Sequence, residues 1–192
     1  VQRDWLEQAA DGLIVLLGPQ SDLAVSVRNG HDEAALAGLQ RWQRRFDDRV
    51  YLELVRAQRG GDEPWLAAAL ELGASADCAA VASNDVRFLA RDDFEAHEAR
   101  VCIHGGHVLN DPRRPRTYSE QQYLKSAQEM QALFADLPEA LENAGELAKR
   151  CNLELSFGKY FLPACPVPDP TESEPDYLRR RAALVHPTEA RV

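Results

Sequence analysis

The strongest candidate for chemistry in this sequence is Asp85, which follows Asn84 and a short apolar run over residues 79–83. A run of this length predicts a buried strand that delivers a carboxylate at its C-terminal end. Alpha/beta folds place ligands and catalytic groups at that end of their strands. A carboxylate there can bind a hard metal ion or act as a base. The alternative is an Asp that caps a helix or shapes a turn.

A second group of candidates has the side-chain types of a zinc site: His97, Cys102, His104 and His107. Imidazole and thiolate groups suit Zn²⁺, but structural zinc sites usually combine two closely spaced ligand pairs. The second Cys pair is missing, and on a helix Cys102 points away from the face that His97 and His104 share. We therefore favour a packing role for these residues over metal binding.

The remaining charged candidates are Glu53 and two groups of arginines. Glu53 lies within an apolar run, so it is either a buried carboxylate that needs a partner or a residue on a solvated strand edge. Arg113, Arg114 and Arg116 could contact phosphate groups or an acidic partner. Because the chain carries a net charge of −9, we expect a solvated loop instead. Residues 179–181 are also three arginines and give a weaker signal.

The sequence lacks the common short catalytic motifs. It contains no Gly-rich phosphate-binding loop, no HExxH and no GxSxG. Catalysis with two metal ions needs clustered carboxylates, and no Asp-x-Asp pair falls on a predicted strand. None of these motifs therefore marks a catalytic site in this chain.

The elements that must position these residues alternate between strand and helix up to Asp85. Apolar runs over residues 13–17, 51–55 and 79–83 predict three strands. A spacing of three and four residues predicts an amphipathic helix over 32–46, and a second helix follows Asp62, its expected N-cap. This alternation predicts a parallel α/β sheet or one arc of a barrel. Three strands are too few to close a barrel.

After Asp85 the pattern is mainly helical. One helix is predicted from Asp92 or Asp93 to about His104, and others after each of two capping-box spacings. Two more are predicted, one from Leu137–Pro138 onwards and one over residues 174–184. The capping-box pairs are Ser119 with Gln122 and Ser126 with Glu129. Residues 153–162 are extended and aromatic, and residues 163–175 form a Pro-rich arm.

Composition limits the class of protein. An excess of 31 acidic over 22 basic residues excludes a domain that wraps nucleic acid by charge alone. Cys78, Cys102, Cys151 and Cys165 are widely spaced, which predicts reduced thiols in a cytoplasmic protein. No apolar run approaches the length of a membrane span. The sequence begins with Val and contains one Met, so we expect a processed chain or a fragment.

Seven collinear segments carry a family resemblance. They are GLIVLLG, RVYLELVR, VASNDVRFL, DFEAHEARVCIHGG, LNDPRRPRTYSEQQYLKSAQEM, LFADLPEALENAGELAKRCN and FGKYFLPACPVP. Together they resemble the alpha subunits of bacterial DNA polymerase III, the C-family replicative polymerases, over residues 12–168. The density and order of these segments make the resemblance far more specific than any single motif.

The resemblance implies a fold and domain boundaries. Residues 1–110 would be the later βα units of a PHP domain, a distorted (βα)₇ barrel, without its first strands. Residues 111–168 would be a helical transition into the polymerase core, and residues 169–192 a linker with the start of the next helix. The expected class is therefore α/β, as a partial barrel followed by a mainly helical segment and a Pro-rich arm.

The resemblance also implies a degraded metal site. Asp85 matches the Asp of the family motif Asn-Asp-x-His, but Arg87 replaces the His and cannot donate a lone pair to a metal. Pro19 stands where metal-binding members have a Cys. We therefore expect an Arg87–Asp85 ion pair, a vestigial site with no phosphoesterase or proofreading activity, and no cofactor bound by this segment.

The implied role is that of a structural region within a DNA-directed DNA polymerase. The catalytic aspartates and their Mg²⁺ would lie outside this chain, which alone would be inactive. The expected partners are a proofreading exonuclease subunit, other replicase subunits, and DNA through the parent polymerase. Two alternatives stay open at this point. One is a stand-alone PHP-type metal-dependent phosphoesterase, and the other is a non-enzymatic interaction module that uses the arm over residues 163–175.

Overall fold

The computed structural model describes residues 3–160 and 166–185, and it divides into two compact units between Asn152 and Leu153. The first unit is built around a parallel sheet, which confirms the predicted α/β class. The predicted (βα)₇ barrel and the domain boundaries at residues 110 and 168 stay predictions.

The sheet has three parallel strands in the order β1-β2-β3. The strands are β1 (Val15–Leu17), β2 (Val50–Val55) and β3 (Ala80–Ser83). In the register, Leu16 lies opposite Tyr51, and Leu54 lies opposite Ala82. All three predicted strands are therefore present, and their carboxyl ends share one edge of the sheet.

Eight α-helices fall within the described residues. They are α1 (Arg3–Gln8), α2 (Asp22–Arg28), α3 (Asp32–Phe46), α4 (Asp62–Ala76), α5 (Phe94–Gly105), α6 (Ala127–Leu133), α7 (Pro138–Arg150) and α8 (Glu174–Val185). Short 3₁₀ turns at Asp47–Arg49 and Arg91–Asp93 precede β2 and α5. In this part of the chain, no helix has both the length and the apolar character needed to cross a membrane.

The core forms where helices cover the sheet. Helix α3 buries Ala35, Leu39, Trp42 and Phe46, whose spacing of four, three and four residues places them along one face. This helix coincides with the one predicted over residues 32–46. Helix α4 packs on β2, and Gly73 near its end allows the chain to approach closely as it turns toward β3. A Cβ atom at Gly73 would lie 2.8 Å from the backbone oxygen of Cys78.

The expected N-cap of α4 is wrong by one residue. Gly61 is the N-cap, and Asp62 is the first residue of the helix. The buried Asp62 carboxylate accepts hydrogen bonds from the backbone N–H groups of Ala57 and Arg59, at 2.9 and 3.1 Å. Its side chain therefore stabilises the loop before the helix rather than the first helical turn.

One of the two capping-box spacings starts a helix. Ser126 and Glu129 exchange the reciprocal hydrogen bonds of a capping box at the start of α6. Ser119 and Gln122 do not precede a helix. The side-chain oxygen of Gln122 accepts a hydrogen bond from the Ser119 N–H at 3.0 Å, but the side-chain nitrogen of Gln122 donates to Asp85. This contact with the end of β3 holds the segment as a turn.

Helices α6 and α7 belong to the same compact unit as the sheet. Helix α7 begins with Pro138 in its first turn, as expected, and packs along β3. The Asn143 side chain donates a 2.9 Å hydrogen bond to the backbone oxygen of Ala80 in the edge strand. Helix α7 therefore covers the side of β3 that faces away from β2.

A guanidinium fork ties the α6–α7 turn to the end of β2. Arg56 donates two hydrogen bonds to the Asp136 carboxylate, at 2.6 and 2.8 Å, and a third to the Leu133 backbone oxygen at 2.8 Å. The hydrogen bonds from Arg56 lower the pKa of Asp136 to about 2. The folded state therefore favours the ionised form of this carboxyl group.

We expect replacement of Asp136 by Asn to lower the thermal midpoint at pH 7. A depressed folded pKa stabilises the protein above the unfolded pKa of about 4, and this stabilisation disappears as the pH falls toward about 2. The difference between wild type and variant should therefore narrow over this range in thermal scans. Glu139→Gln, at an exposed position in α7, is the control. A difference that is independent of pH would contradict the assignment.

The second unit contains α8, which confirms the helix predicted over residues 174–184. Arg180 donates two hydrogen bonds to Glu172, at 2.9 and 2.8 Å, and Arg179 pairs with Asp176. Residues 153–160 have no regular secondary structure. Part of the predicted Pro-rich arm, residues 163–165, lies outside the described residues.

Candidate functional site

The carboxyl ends of the three strands open into a cleft of about 320 Å³. Its lining comes from the end of β1, from β2 and the loop after it, and from the residues after β3. These residues are Leu16, Gly18, Pro19, Gln20, Ser21, Glu53, Val55, Arg59, Asp85 and Arg87. The structure thus brings together Pro19, Asp85 and Arg87, the three residues of the expected metal site.

Asp85 is held at the centre of this cleft by three side chains. Arg87 Nη2 lies 2.7 Å from its Oδ1 atom, and Arg59 Nη1 lies 2.6 Å from its Oδ2 atom. Gln122 Nε2 donates to Oδ2 at 2.9 Å and to the Asp85 backbone oxygen at 3.1 Å. The expected Arg87–Asp85 ion pair is present. These contacts also fix a backbone with φ of 44°, which is uncommon for a residue other than Gly.

The segment around Gln122 braces the carboxyl ends of β2 and β3. The buried Asn84 side chain donates to the backbone oxygens of Gln121 and Tyr123, at 2.9 and 2.7 Å. The Arg87 N–H donates to the Gln122 backbone oxygen at 2.7 Å, and the Ser119 hydroxyl donates to the backbone oxygen of Ala57. A segment more than thirty residues downstream therefore fixes one wall of the cleft.

Glu53 faces the same cleft from β2. It is half-buried, and its Oε1 atom accepts a 2.6 Å hydrogen bond from the Ser83 hydroxyl. A Cβ atom at Gly18 would lie 2.2 Å from Glu53 Oε2, so a larger residue at position 18 would push this carboxylate aside. The carboxylate therefore has a hydrogen-bonding partner and is not on a free strand edge.

The four His and Cys candidates, in α5 and just after it, do not form a group of metal ligands. His97 is buried between the rings of Phe88 and Tyr118, with centroid distances of 5.4 and 4.6 Å. Burial lowers the pKa of His97, and Arg100 contributes in the same direction. Cys102 is buried, whereas His104 and His107 are exposed. The packing interpretation therefore describes His97 and Cys102.

Arg114 corrects the expectation of a solvated arginine loop. Its side chain is 8% exposed and pairs with the buried carboxylate of Glu98, and its Nε atom donates to the Leu109 backbone oxygen. Arg113 is exposed and pairs with Asp111, and Arg116 is exposed. The sequence analysis did not predict the burial of Arg114, because its partner, Glu98, lies sixteen residues away on a helix.

Comparison with known proteins finds similarity to part of one polymerase subunit. The sequence is 51% identical to DNA polymerase III subunit alpha of Pseudomonas aeruginosa over 180 residues, which are 93% of this chain and 15% of that protein. It is 46% identical to the same subunit of Escherichia coli K12 over 183 residues, 95% of this chain and 16% of that protein. The chain is homologous to one segment of DNA polymerase III subunit alpha.

The resemblance inferred from the seven segments is therefore confirmed. The alpha subunit of Xylella fastidiosa Temecula1 is 47% identical over 182 residues, again 95% of this chain and 15% of that protein. No family model matches the chain. This segment thus spans about 15% of the length of the curated alpha subunits it matches.

The carboxylate of the cleft is already paired with two cations. Arg59 Nη1 donates a hydrogen bond to one oxygen of Asp85, and Arg87 forms an ion pair with the other. The positive charges of Arg59 and Arg87 would repel a metal ion at this carboxylate. Pro19 offers no side-chain ligand. Within residues 3–160 and 166–185, no three His, Cys, Asp or Glu side chains are grouped closely enough to hold a metal.

Arg59 and Gln122 are the partners of Asp85 that the sequence analysis missed. Arg59 follows β2, and every residue that follows a strand of a parallel sheet is a candidate for the same edge, so position alone could have found it. Its Nε atom also pairs with Asp62 at 3.1 Å. Gln122 gave no comparable signal because its contact with Asp85 depends on how a long loop folds back.

We expect Asp85→Asn to lower the free energy of unfolding by about 1–3 kcal/mol. The amide removes the negative charge between Arg59 and Arg87 and turns one acceptor into a donor that faces a guanidinium. Urea denaturation measures the loss. Asp77→Asn is a matched control, because Asp77 also has a positive φ, of 50°, but is exposed at the end of α4. Equal losses of stability at the two positions would contradict a stabilising role for the contacts of Asp85 with Arg59 and Arg87.

Proposed function

We propose that this chain is the later part of the PHP domain, and the entry to the polymerase core, of a DNA polymerase III alpha subunit. The observation that carries the proposal is identity of 45–51% with alpha subunits over up to 95% of the chain. The three parallel strands and their covering helices are compatible with one arc of a (βα)₇ barrel. The parent protein would synthesise DNA on a template, with Mg²⁺ and catalytic aspartates outside this segment.

Within that parent, the Asp85 cleft is a metal site that has been converted to an ion-pair cluster. Arg87 occupies the position of the family His and neutralises the carboxylate that a metal would otherwise neutralise. Arg59 and Gln122 supply the remaining contacts. The cleft then contributes to the stability of the domain and performs no phosphoester hydrolysis and no proofreading.

A region without its own catalysis still offers a docking surface. The chain carries a net charge of −9, and an acidic surface suits contacts with basic segments of partner proteins. The expected partners are the separate proofreading exonuclease subunit and other replicase subunits in the cytoplasm. Co-elution of the full-length gene product with that exonuclease in size-exclusion chromatography would support this role, and independent elution at micromolar concentrations would contradict it.

Primer extension by the full-length gene product tests the central proposal. We expect a protein several times longer than this chain to extend a primed template in the presence of Mg²⁺, and the 192-residue chain to show no extension. The same gene product with Asp85→Asn is the internal control, since Asp85 has no catalytic role in this proposal. A gene product of about this size without synthesis would overturn it.

A metal titration tests the converted site. We expect about 0.1 mM Mn²⁺ or Zn²⁺, on the order of a hundred times the dissociation constant of a micromolar site, to leave the thermal midpoint equal to that in EDTA. A bound metal at that excess would stabilise the folded state by about 2.7 kcal/mol and raise the midpoint by several degrees. Such a rise, or metal-dependent hydrolysis of a phosphoester, would favour the phosphoesterase alternative.

A further inference from the structure

Residues 153–157 combine an alternating apolar pattern with exposure. Leu153, Leu155 and Phe157 are 84%, 65% and 86% exposed, and they alternate with Glu154 and Ser156. We propose that residues 153–157 are a β-strand that adds to the edge of a β-sheet in the part of the polymerase alpha subunit outside this chain. The proposal rests on the proposed function, because the parent protein supplies the sheet.

The period of the pattern determines the kind of partner. In an extended chain, residues two apart point to the same side, so the three apolar side chains would form one face and Glu154 and Ser156 the other. On a helix, Leu153 and Phe157 would share a face but Leu155 would lie on the opposite side. A groove that binds this segment as a helix is therefore a poor match. The edge of a sheet, which binds it as an extended strand, is a good one.

The backbone of this segment is also available for pairing. The N–H and C=O groups of residues 153–157 form no hydrogen bond with any other group in the described residues. Buried backbone groups need such partners, so an occupant that covers the apolar face must also supply a row of donors and acceptors. The edge of a sheet provides both.

The boundaries of the segment suit a short strand. Helix α7 ends at Arg150, and Gly158 has a φ of +77°, a conformation that ends an extended run. The five residues 153–157 lie between these points and match the usual length of a strand. One strand alone has no stability in water, which explains the absence of regular structure over residues 153–160.

The length of the relatives favours a sheet from elsewhere in the parent protein over a second copy of this chain. The matched region covers 93–95% of this chain but only 15–16% of the alpha subunits, so most of such a parent lies outside the structure. A second copy of this chain is a poorer partner, because each copy carries a net charge of −9 and the two would repel each other.

Hydrogen exchange in the full-length gene product tests the strand. We expect the amides of residues 153–157 to exchange about 100-fold more slowly in the gene product than in the 192-residue chain. Leu155→Gln should reduce this protection by about tenfold or more, whereas Ser156→Gln, which places the same side chain on the other face, should leave it unchanged.

The outcomes separate this inference from the proposed function. A gene product that extends primers but leaves residues 153–157 unprotected overturns the strand and keeps the polymerase assignment. Equal losses from Leu155→Gln and Ser156→Gln overturn the one-sided apolar contact. Protection that appears in the 192-residue chain and grows with its concentration identifies a second copy as the partner. A gene product no longer than this chain removes the sheet and overturns both.

Discussion

Glu98→Gln should lower the free energy of unfolding by about 3–5 kcal/mol, the usual cost of breaking a buried ion pair by removing one partner. Glu98 is 4% exposed, and one of its carboxylate oxygens pairs with the buried Arg114 side chain. The other lies 4.0 Å from His97 Nδ1 and has no hydrogen-bonding partner in the described residues. The neutral amide would leave the Arg114 charge without compensation.

The effect should extend to the cleft. Arg114 anchors the long segment between α5 and α6, and the same segment carries Gln122, which holds Asp85. Urea denaturation followed by tryptophan fluorescence measures the loss, because Trp5, Trp42 and Trp65 all lie in the first unit. We expect hydrogen exchange to show the greatest loss of protection between residues 106 and 126.

Two further variants make the ion-pair prediction specific. Glu95→Gln changes an exposed residue in the first turn of the same helix and should cost less than about 1 kcal/mol. Combining Glu98→Leu with Arg114→Met removes both charges and should recover much of the loss, since apolar replacements of buried pairs are often neutral. A double variant as unstable as Glu98→Gln would show that the charge is not the cause.

The strands and the longer helices could be predicted from the sequence because each has a clear local pattern. Helix α3 matches its prediction at both ends because its apolar residues recur over four turns. Helices α1 and α2 were missed because six and seven residues give too few turns for a period to emerge. Ser21 was the available signal for α2, since its side chain caps the helix by accepting from the Ala24 N–H at 3.2 Å.

The candidate site was predictable only in part. Asp85 follows from its position after an apolar run, and its pair with Arg87 was expected once the family motif was recognised. Gln122 and Arg114 depend on the path of one long segment, whose irregular backbone leaves no period in the sequence. Arg114 was predicted to be solvated because arginines are mostly exposed. The sequence does not show that it pairs with a buried carboxylate on α5.

Phe134→Ala should cost about 3–5 kcal/mol, the usual range for removing a buried aromatic ring. Phe134 is fully buried at the end of α6 and belongs to the same core as the residues beneath the sheet. The Arg56 guanidinium lies 5.1 Å from the centre of its ring. The substitution therefore leaves a cavity and removes the surface that orients the Arg56–Asp136 fork.

This variant tests whether helices α6 and α7 stabilise the sheet or are only attached to it. If α6 and α7 are integral, urea denaturation should remain one transition, shifted to lower concentration for both tryptophan fluorescence and circular dichroism. Phe157→Ala removes the same ring from an exposed position in the second unit and should change stability by less than about 0.5 kcal/mol. An early loss of helix with unchanged tryptophan fluorescence would instead mean that the two helices unfold independently, and that the sheet and its Asp85 cleft are stable without them.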